Sequence, residues 1–257
     1  MVSNPYTKQQ LDAFLNKAVK VFPTMHRDDR ADKMRIFRKK VHGRSFAKLD
    51  KALFDHQERT VSKGSLMLRF AALRLQGYSS KEVESKLRGE VQEQAKALNE
   101  RYRGVLIYKP ITPKVADGIV SRAMKAVDTK FLEAFNEEAE MSREYLRKWL
   151  GEATVKVHRG VAGTFAKKII DTISAASLET NLKIGIGTIS GFTTDEQYAE
   201  QFDGVVLSKK IPIDKIAYAF DFRDGGIPLP GYAGEHEVLV PGEVVDTYKV
   251  SDIKVRT

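Results

Sequence analysis

At Gly151 the chain changes its hydrophobic rhythm. Before it, apolar residues recur at helical spacing; after it come short β-branched runs separated by Gly and Pro. A helical period cannot lie flat as a strand, nor an alternating one wind as a helix, so the two halves must build different layers. The expected fold class is α+β: a helical N-terminal half followed by two small, mostly antiparallel sheets.

Several helix boundaries are written in capping chemistry. Leu11, Phe14, Leu15, Ala18 and Phe22 keep a helical stripe up to Pro23, and Met34, Phe37 and Val41 do so up to Gly43. Residues 65–76 form the next stripe, ending near Gly77. Ser79 with Glu82 three residues on reads as a capping box for a long helix that turns Val83, Leu87, Val91, Ala95 and Leu98 inward. Thr112-Pro113 is a cap followed by a first-turn proline, and Ser142 is expected to open a short helix ending near Trp149 and Leu150. Beyond Gly151, strands are expected at 154–158, 183–189, 205–207, 215–222, 237–240 and 244–250, with helices at 165–176 and 195–202. The composition divides the chain into a basic helical region, 1–110, and a second domain, 111–257, that includes its own leading helices.

Charge is spread as unevenly as structure. The net charge is +9, yet residues 1–150 hold 31 Lys plus Arg against 19 Asp plus Glu, and the remainder holds 12 against 15. A basic front favours an acidic or nucleic-acid partner, although few aromatics interleave its cations to stack on bases. Cysteine is absent, which removes disulfides, thiolate catalysis and cysteine metal sites; the five histidines are dispersed, and no metal is expected. No window of 18 apolar residues occurs and residues 1–10 are polar, so neither a membrane span nor a secretory signal is expected. A cytosolic setting follows.

Three features of the second half carry chemistry. A β-branched run ends in Val157-His158-Arg159-Gly160, where an arginine is expected to leave the sheet beside a glycine. The planar guanidinium suits a diphosphate. Ser190-Gly191-Phe192-Thr193-Thr194-Asp195 is a hydroxyl cluster, followed by Ala199 and Phe202 at helical spacing. Gly234-Glu235-His236-Glu237-Val238-Leu239-Val240-Pro241 then puts two carboxylates two residues apart, on one face if the strand holds through both. Nearby carboxylates resist simultaneous ionisation. Solvated Glu-x-Glu pairs are also common at strand edges.

Taken in this order, the three resemble the ADP-ribosyltransferases of the arginine, serine, glutamate class, which include bacterial toxins and phage enzymes. The resemblance covers about the last hundred residues. The hydroxyl motif departs from the family's Ser-Thr-Ser, with Phe192-Thr193-Thr194 or Thr193-Thr194-Asp195 as its equivalent and Ser190 as a substitute. The resemblance implies that the sheets form an NAD cleft, that Arg159 holds the NAD phosphates, and that Gly160 offers its backbone to the nicotinamide amide. It implies that Thr193 or Thr194 orients Glu237, which hydrogen-bonds the ribose, and that Glu235 serves the acceptor. Tyr232, with Phe220 and Phe222, would wall the nicotinamide or meet the acceptor. NAD is thus the expected substrate and a macromolecule the acceptor. A glutamate at position 235 implies arginine on a protein, and the basic front keeps RNA open as an alternative. The non-catalytic alternative is a basic nucleic-acid-binding protein.

Two rivals stand beside these motifs. Tyr102-Arg103-Gly104 also carries the family's aromatic-arginine-glycine pattern, but it follows a long polar helix. Gly185-Ile186-Gly187-Thr188-Ile189-Ser190-Gly191 imitates a dinucleotide-binding loop without the strand before it and the helix after it that such a loop needs. It reads instead as a glycine-rich edge strand or bulge.

Overall fold

The computed structural model of the chain describes residues 48–49, 51–53, 62–104, 109–185, 187–219 and 237–256. The helices expected near Leu11 and Met34 lie outside these residues. The chain forms an α+β fold whose described residues fall into two compact units, one within 42–137 and the other within 138–257. The division comes inside a helix, well after residue 110.

The first unit is helical, and its helices begin where their caps are. Helix α1 (Lys63–Leu75) starts at Ser62, whose side chain accepts from Ser65 N. Helix α2 (Ser80–Arg101) opens with the full capping box: Ser79 Oγ accepts from Glu82 N, and Glu82 Oε2 accepts from Ser79 N. Helix α3 (Pro113–Ala126) is capped by Thr112 and carries its proline in the first turn. α1 is buried on every side from Gly64 to Leu73, against Val83, Leu87 and Val91 of α2 and Ala116, Val120 and Ala123 of α3. Its one buried cation, Arg69, pairs at 2.8 Å with Glu90.

Helix α4 (Thr129–Leu150) is continuous through Ser142, which corrects the expectation of a new helix there. The cap is Asp128, whose Oδ1 accepts from Phe131 N, and Ser142 is a fully buried mid-helix residue between Ala139 and Leu146. A small hydroxyl residue on an inward face satisfies the helical period as well as it satisfies a cap.

In the second unit six strands form one antiparallel sheet in the order β5-β6-β3-β1-β4-β8, and β2 pairs with β7 in a second. The strands are β1 (Thr154–Ala162), β2 (Asn181–Lys183), β3 (Ile189–Thr193), β4 (Gly204–Pro212), β5 (Tyr218–Ala219), β6 (Glu237–Pro241), β7 (Thr247–Lys249) and β8 (Ile253–Val255). Helix α5 (Gly163–Ile173) follows β1, and the one-turn helix α6 (Glu196–Ala199) follows β3. One face is apolar: Val155, Val157 and Val161 of β1, Phe192 of β3, Val205 and Leu207 of β4, and Val238 and Val240 of β6 share a core.

Several strand limits differ from expectation, for reasons visible in the backbone. β1 and β4 pair along their whole length, Thr154↔Pro212 through Ala162↔Gly204, so β1 does not stop at His158. Residues 184, 185, 187 and 188 are not strand, and Gly187, with φ +89°, lies between β2 and β3. Residues 213–215 and 242–244 are 3-10 turns, so β5 and β7 start later than expected. The helix at 195–202 is only one turn, with Asp195 as its cap. β8 went unforeseen, since three residues alternate too briefly to register.

Two polar contacts tie β5 and the residue Ile216 before it to the middle of α4. The fully buried Tyr218 donates its hydroxyl to Glu138 Oε2 at 3.0 Å, and Arg143 Nε donates to Ile216 O at 2.7 Å. β5 in turn pairs with β6, Tyr218 opposite Leu239, so these bonds support the strand that carries Glu237. Tyr218→Phe deletes the first, a hydrogen bond to a buried carboxylate. Urea unfolding should show a loss of about 1.5–3 kcal/mol with unchanged far-UV circular dichroism.

Candidate functional site

The three sequence features meet because their strands are neighbours. β6, β3 and β1 lie side by side, and one line of register partners crosses them: Glu237 opposite Thr193, and Thr193 opposite His158. Directly opposed residues of an antiparallel ladder share a face, with Cβ atoms about 4.5–5.5 Å apart. Glu237, Thr193 and His158 therefore form a row on the face opposite the apolar core. A cavity of about 250 Å³ lies over this row, bounded by Arg159, Gly160, Gly191 and Phe192 and by Tyr198, Ala199 and Phe202 from α6 and the turn after it. That volume falls just short of pockets for drug-sized ligands, which run to about 300–1,000 Å³.

Glu237 is seated by a glycine. A Cβ on Gly191 would fall on Glu237 Oε1, so the carboxylate lies across the bare α-carbon of the neighbouring strand. The Gly191 carbonyl also accepts from Arg159 Nη1 at 3.2 Å. The glycine-rich segment is thus no edge: β3 is flanked by β6 and β1, and its last glycine gives room to the glutamate. Sequence reading missed Gly191; the available signal was a glycine inside a strand, which marks close approach of another group.

Thr193 is the hydroxyl residue in register with Glu237. Its Oγ1 accepts from Asp195 N at 2.9 Å, and a hydroxyl carries a donor besides. Asp195 accepts from Gln197 N and Tyr198 N, so the same turn that starts α6 orients Thr193. Thr194 lies in the bend just after β3, and Ser190, by alternation, shares the core face with Phe192.

Arg159 does not leave the sheet. It sits within β1, and alternation puts it on the Phe192 face, its guanidinium 5.8 Å from the Phe192 ring centroid. Gly160, next to it, has its side-chain space taken by Phe202 and the Ala199 carbonyl, so this glycine lets α6 and the turn after it press onto β1. Arg103, the rival arginine, lies in the turn that ends α2 in the other unit, with Gly104 at φ +85°. Glu235, His236, Tyr232, Phe220 and Phe222 lie outside the described residues. Among those residues no three His, Asp or Glu side chains converge as a metal site would need, and no helix is long and apolar enough to cross a membrane.

His158 is buried in the floor of the cavity, with Nδ1 at 2.8 Å from Ser208 Oγ of β4. Burial holds its pKa below the ordinary 6.5 and Lys156 adds to this, while Glu196, Asp195 and Glu200 pull it back up. The ring is therefore neutral at neutral pH.

Two variants probe this arrangement. As pH falls through about 6.5 the unfolded chain takes up the His158 proton before the folded one, so this site's contribution to stability is intact above that pH and is lost below it. His158→Gln should flatten the decline in urea midpoint between about pH 8 and about pH 5. Gly191→Ala meets only the flexible end of Glu237, so it should displace that carboxylate while far-UV circular dichroism and thermal midpoint stay near wild type. No family model, curated protein or solved structure matches this chain, and the site is read from its own residues.

Proposed function

We propose that the chain is a mono-ADP-ribosyltransferase that takes NAD as substrate and transfers ADP-ribose to a macromolecular acceptor. The observation that carries this reading is the single row in which Glu237 faces Thr193 beside the strand bearing His158-Arg159-Gly160. The residues resembling the family's glutamate, hydroxyl and arginine motifs come from three distant segments, yet they occupy three adjacent strands.

The chemistry follows from one fixed anion. Cleavage breaks the bond between ribose C1′ and the nicotinamide nitrogen; the electron pair leaves with nicotinamide, and positive charge builds on the ribose. Glu237, held over Gly191, stabilises that charge more than it stabilises the ground state, as carboxylates do in glycoside hydrolysis. Thr193 keeps the carboxylate in place. The acceptor supplies the electron pair for the new bond at C1′ and releases a proton, which is the role given to Glu235. Tyr198 and Phe202, 6.2 Å apart edge to face, supply an aromatic wall for the leaving ring. Arg159, whose Nη1 donates to the Gly191 carbonyl, is the planar cation that the resemblance assigns to the diphosphate. Protein arginine is the acceptor that Glu235 suggests. The setting we infer is the cytoplasm of a bacterial or phage-infected cell.

Release of nicotinamide from NAD tests the reading. Glu237→Gln should lower the rate by about 10²-fold or more without loss of fold, as removal of one transition-state contact does. Gly191→Ala should fall by a comparable factor through misplacement of the same group. Arg159→Lys with full turnover would remove Arg159 from the site. Incubation with labelled NAD and a lysate, followed by protease or ribonuclease, identifies the acceptor. A wild-type protein that releases no nicotinamide and labels nothing leaves only the non-catalytic alternative.

A further inference from the structure

Next to the row lies a second, larger cavity of about 620 Å³, lined by Lys156, Lys210, Lys254, Ser208 and Ser251 together with the acids Glu196 and Asp252, among others. It is on the same face of the sheet. Lys156 and Lys210 are register partners one rung beyond His158 and Ser208, and Lys254 of β8 lies opposite Val206. The local charge is unexpected, because residues 151–257 carry more acid than base. Three lysines of that half gather over one patch of three adjacent strands.

We propose that this trough binds RNA through its phosphates and ribose hydroxyls, as a docking surface beside the cavity over Glu237. The inference does not depend on NAD chemistry. Each lysine has an acidic neighbour: Lys156 lies 3.8 Å from Glu196, Lys210 3.4 Å from Glu152, and Lys254 touches Glu196 and Glu200. The lysine side chains are 59%, 65% and 53% exposed; the Lys156 and Lys210 pairs, exposed at both ends, are held weakly enough for a phosphate to replace the carboxylate, whereas Glu200 is only 22% exposed and also pairs with Arg256. Phosphate binding further gains from release of the counterions that a polyanion condenses.

The lining also separates the classes of polyanion. Among the described residues no aromatic side chain borders the trough, so none of them stacks a base or holds a mononucleotide by its ring. Binding is then to the backbone and independent of sequence. Ser208 and Ser251 offer hydroxyls and Asp252 a carboxylate; a carboxylate repels phosphate but accepts from a ribose 2′-hydroxyl, the group that distinguishes RNA from DNA.

The test measures anisotropy of a short fluorescein-labelled RNA with the full chain over a salt series. The variants are Lys156→Glu with Lys210→Glu, and the neutral pair Lys156→Gln with Lys210→Gln. Charge reversal should weaken binding by about tenfold or more, and either pair should reduce the slope of log affinity against log salt by about 1.5–2, with thermal midpoint and nicotinamide release unchanged. DNA of the same sequence should bind more weakly than RNA, and Asp252→Asn should narrow that difference. RNA affinity indifferent to both lysine pairs overturns the proposal. DNA bound as tightly as RNA overturns the assignment to RNA, and a poly-glutamate peptide that displaces RNA and itself loses affinity in the lysine variants reassigns the trough to an acidic protein. Loss of nicotinamide release in Glu237→Gln bears only on the transferase reading.

Discussion

The site depends on the register of β3 between its two neighbours. A slip of one residue in an antiparallel ladder sends every side chain to the opposite face. Shifted that way, Glu237 would enter the core among Val155, Val157 and Phe192, and Val238 would take its place over Gly191. The apolar alternation of β1, β3, β4 and β6 forbids the slip, since β1, β4 and β6 would have to bury Lys156, Lys210 or Glu237 in place of apolar side chains, and β3 would lose Phe192 from the core. The core and the row of Glu237, Thr193 and His158 are thus two sides of one constraint.

Two glycines convert that register into a usable surface. Gly191 leaves the space in which the Glu237 carboxylate rests, and Gly160 leaves the space into which Phe202 and the Ala199 carbonyl press. Between them runs the turn at Asp195, which caps α6 and bonds Thr193. A single short turn therefore sets the hydroxyl that faces Glu237 and brings Tyr198 and Phe202 to the cavity wall. On the other side of the same patch, the His158–Ser208 contact floors the boundary between this cavity and the lysine trough.

Much of the fold was legible because its signals are local. The Ser79–Glu82 box, the Thr112-Pro113 cap, helix α5 and strand β6 stand where cap chemistry and periodicity put them. Errors arose where a local signal admits two outcomes. Ser142 reads as a cap but lies buried in mid-helix, and the alternation through residues 183–189 is interrupted by a backbone angle at Gly187 that no pattern of side chains reveals. Of the candidate residues, the structure brings Thr193, Gly160 and Glu237 to one cavity, with Arg159 bordering it from the strand's other face. Gly191 and Ser208 were not singled out, because the importance of each comes from a partner on another strand.

By itself the sequence determined the fold class, the starts of most described helices and the residue types able to carry the chemistry, since capping, periodicity and side-chain functionality act over a few neighbouring residues. Tertiary structure decided which hydroxyl faces Glu237, on which side of the sheet Arg159 lies, and that lysines from three strands share one trough. Those facts are set by cross-strand register, a relation between segments far apart in the chain, and register is fixed only when the whole apolar face closes on itself.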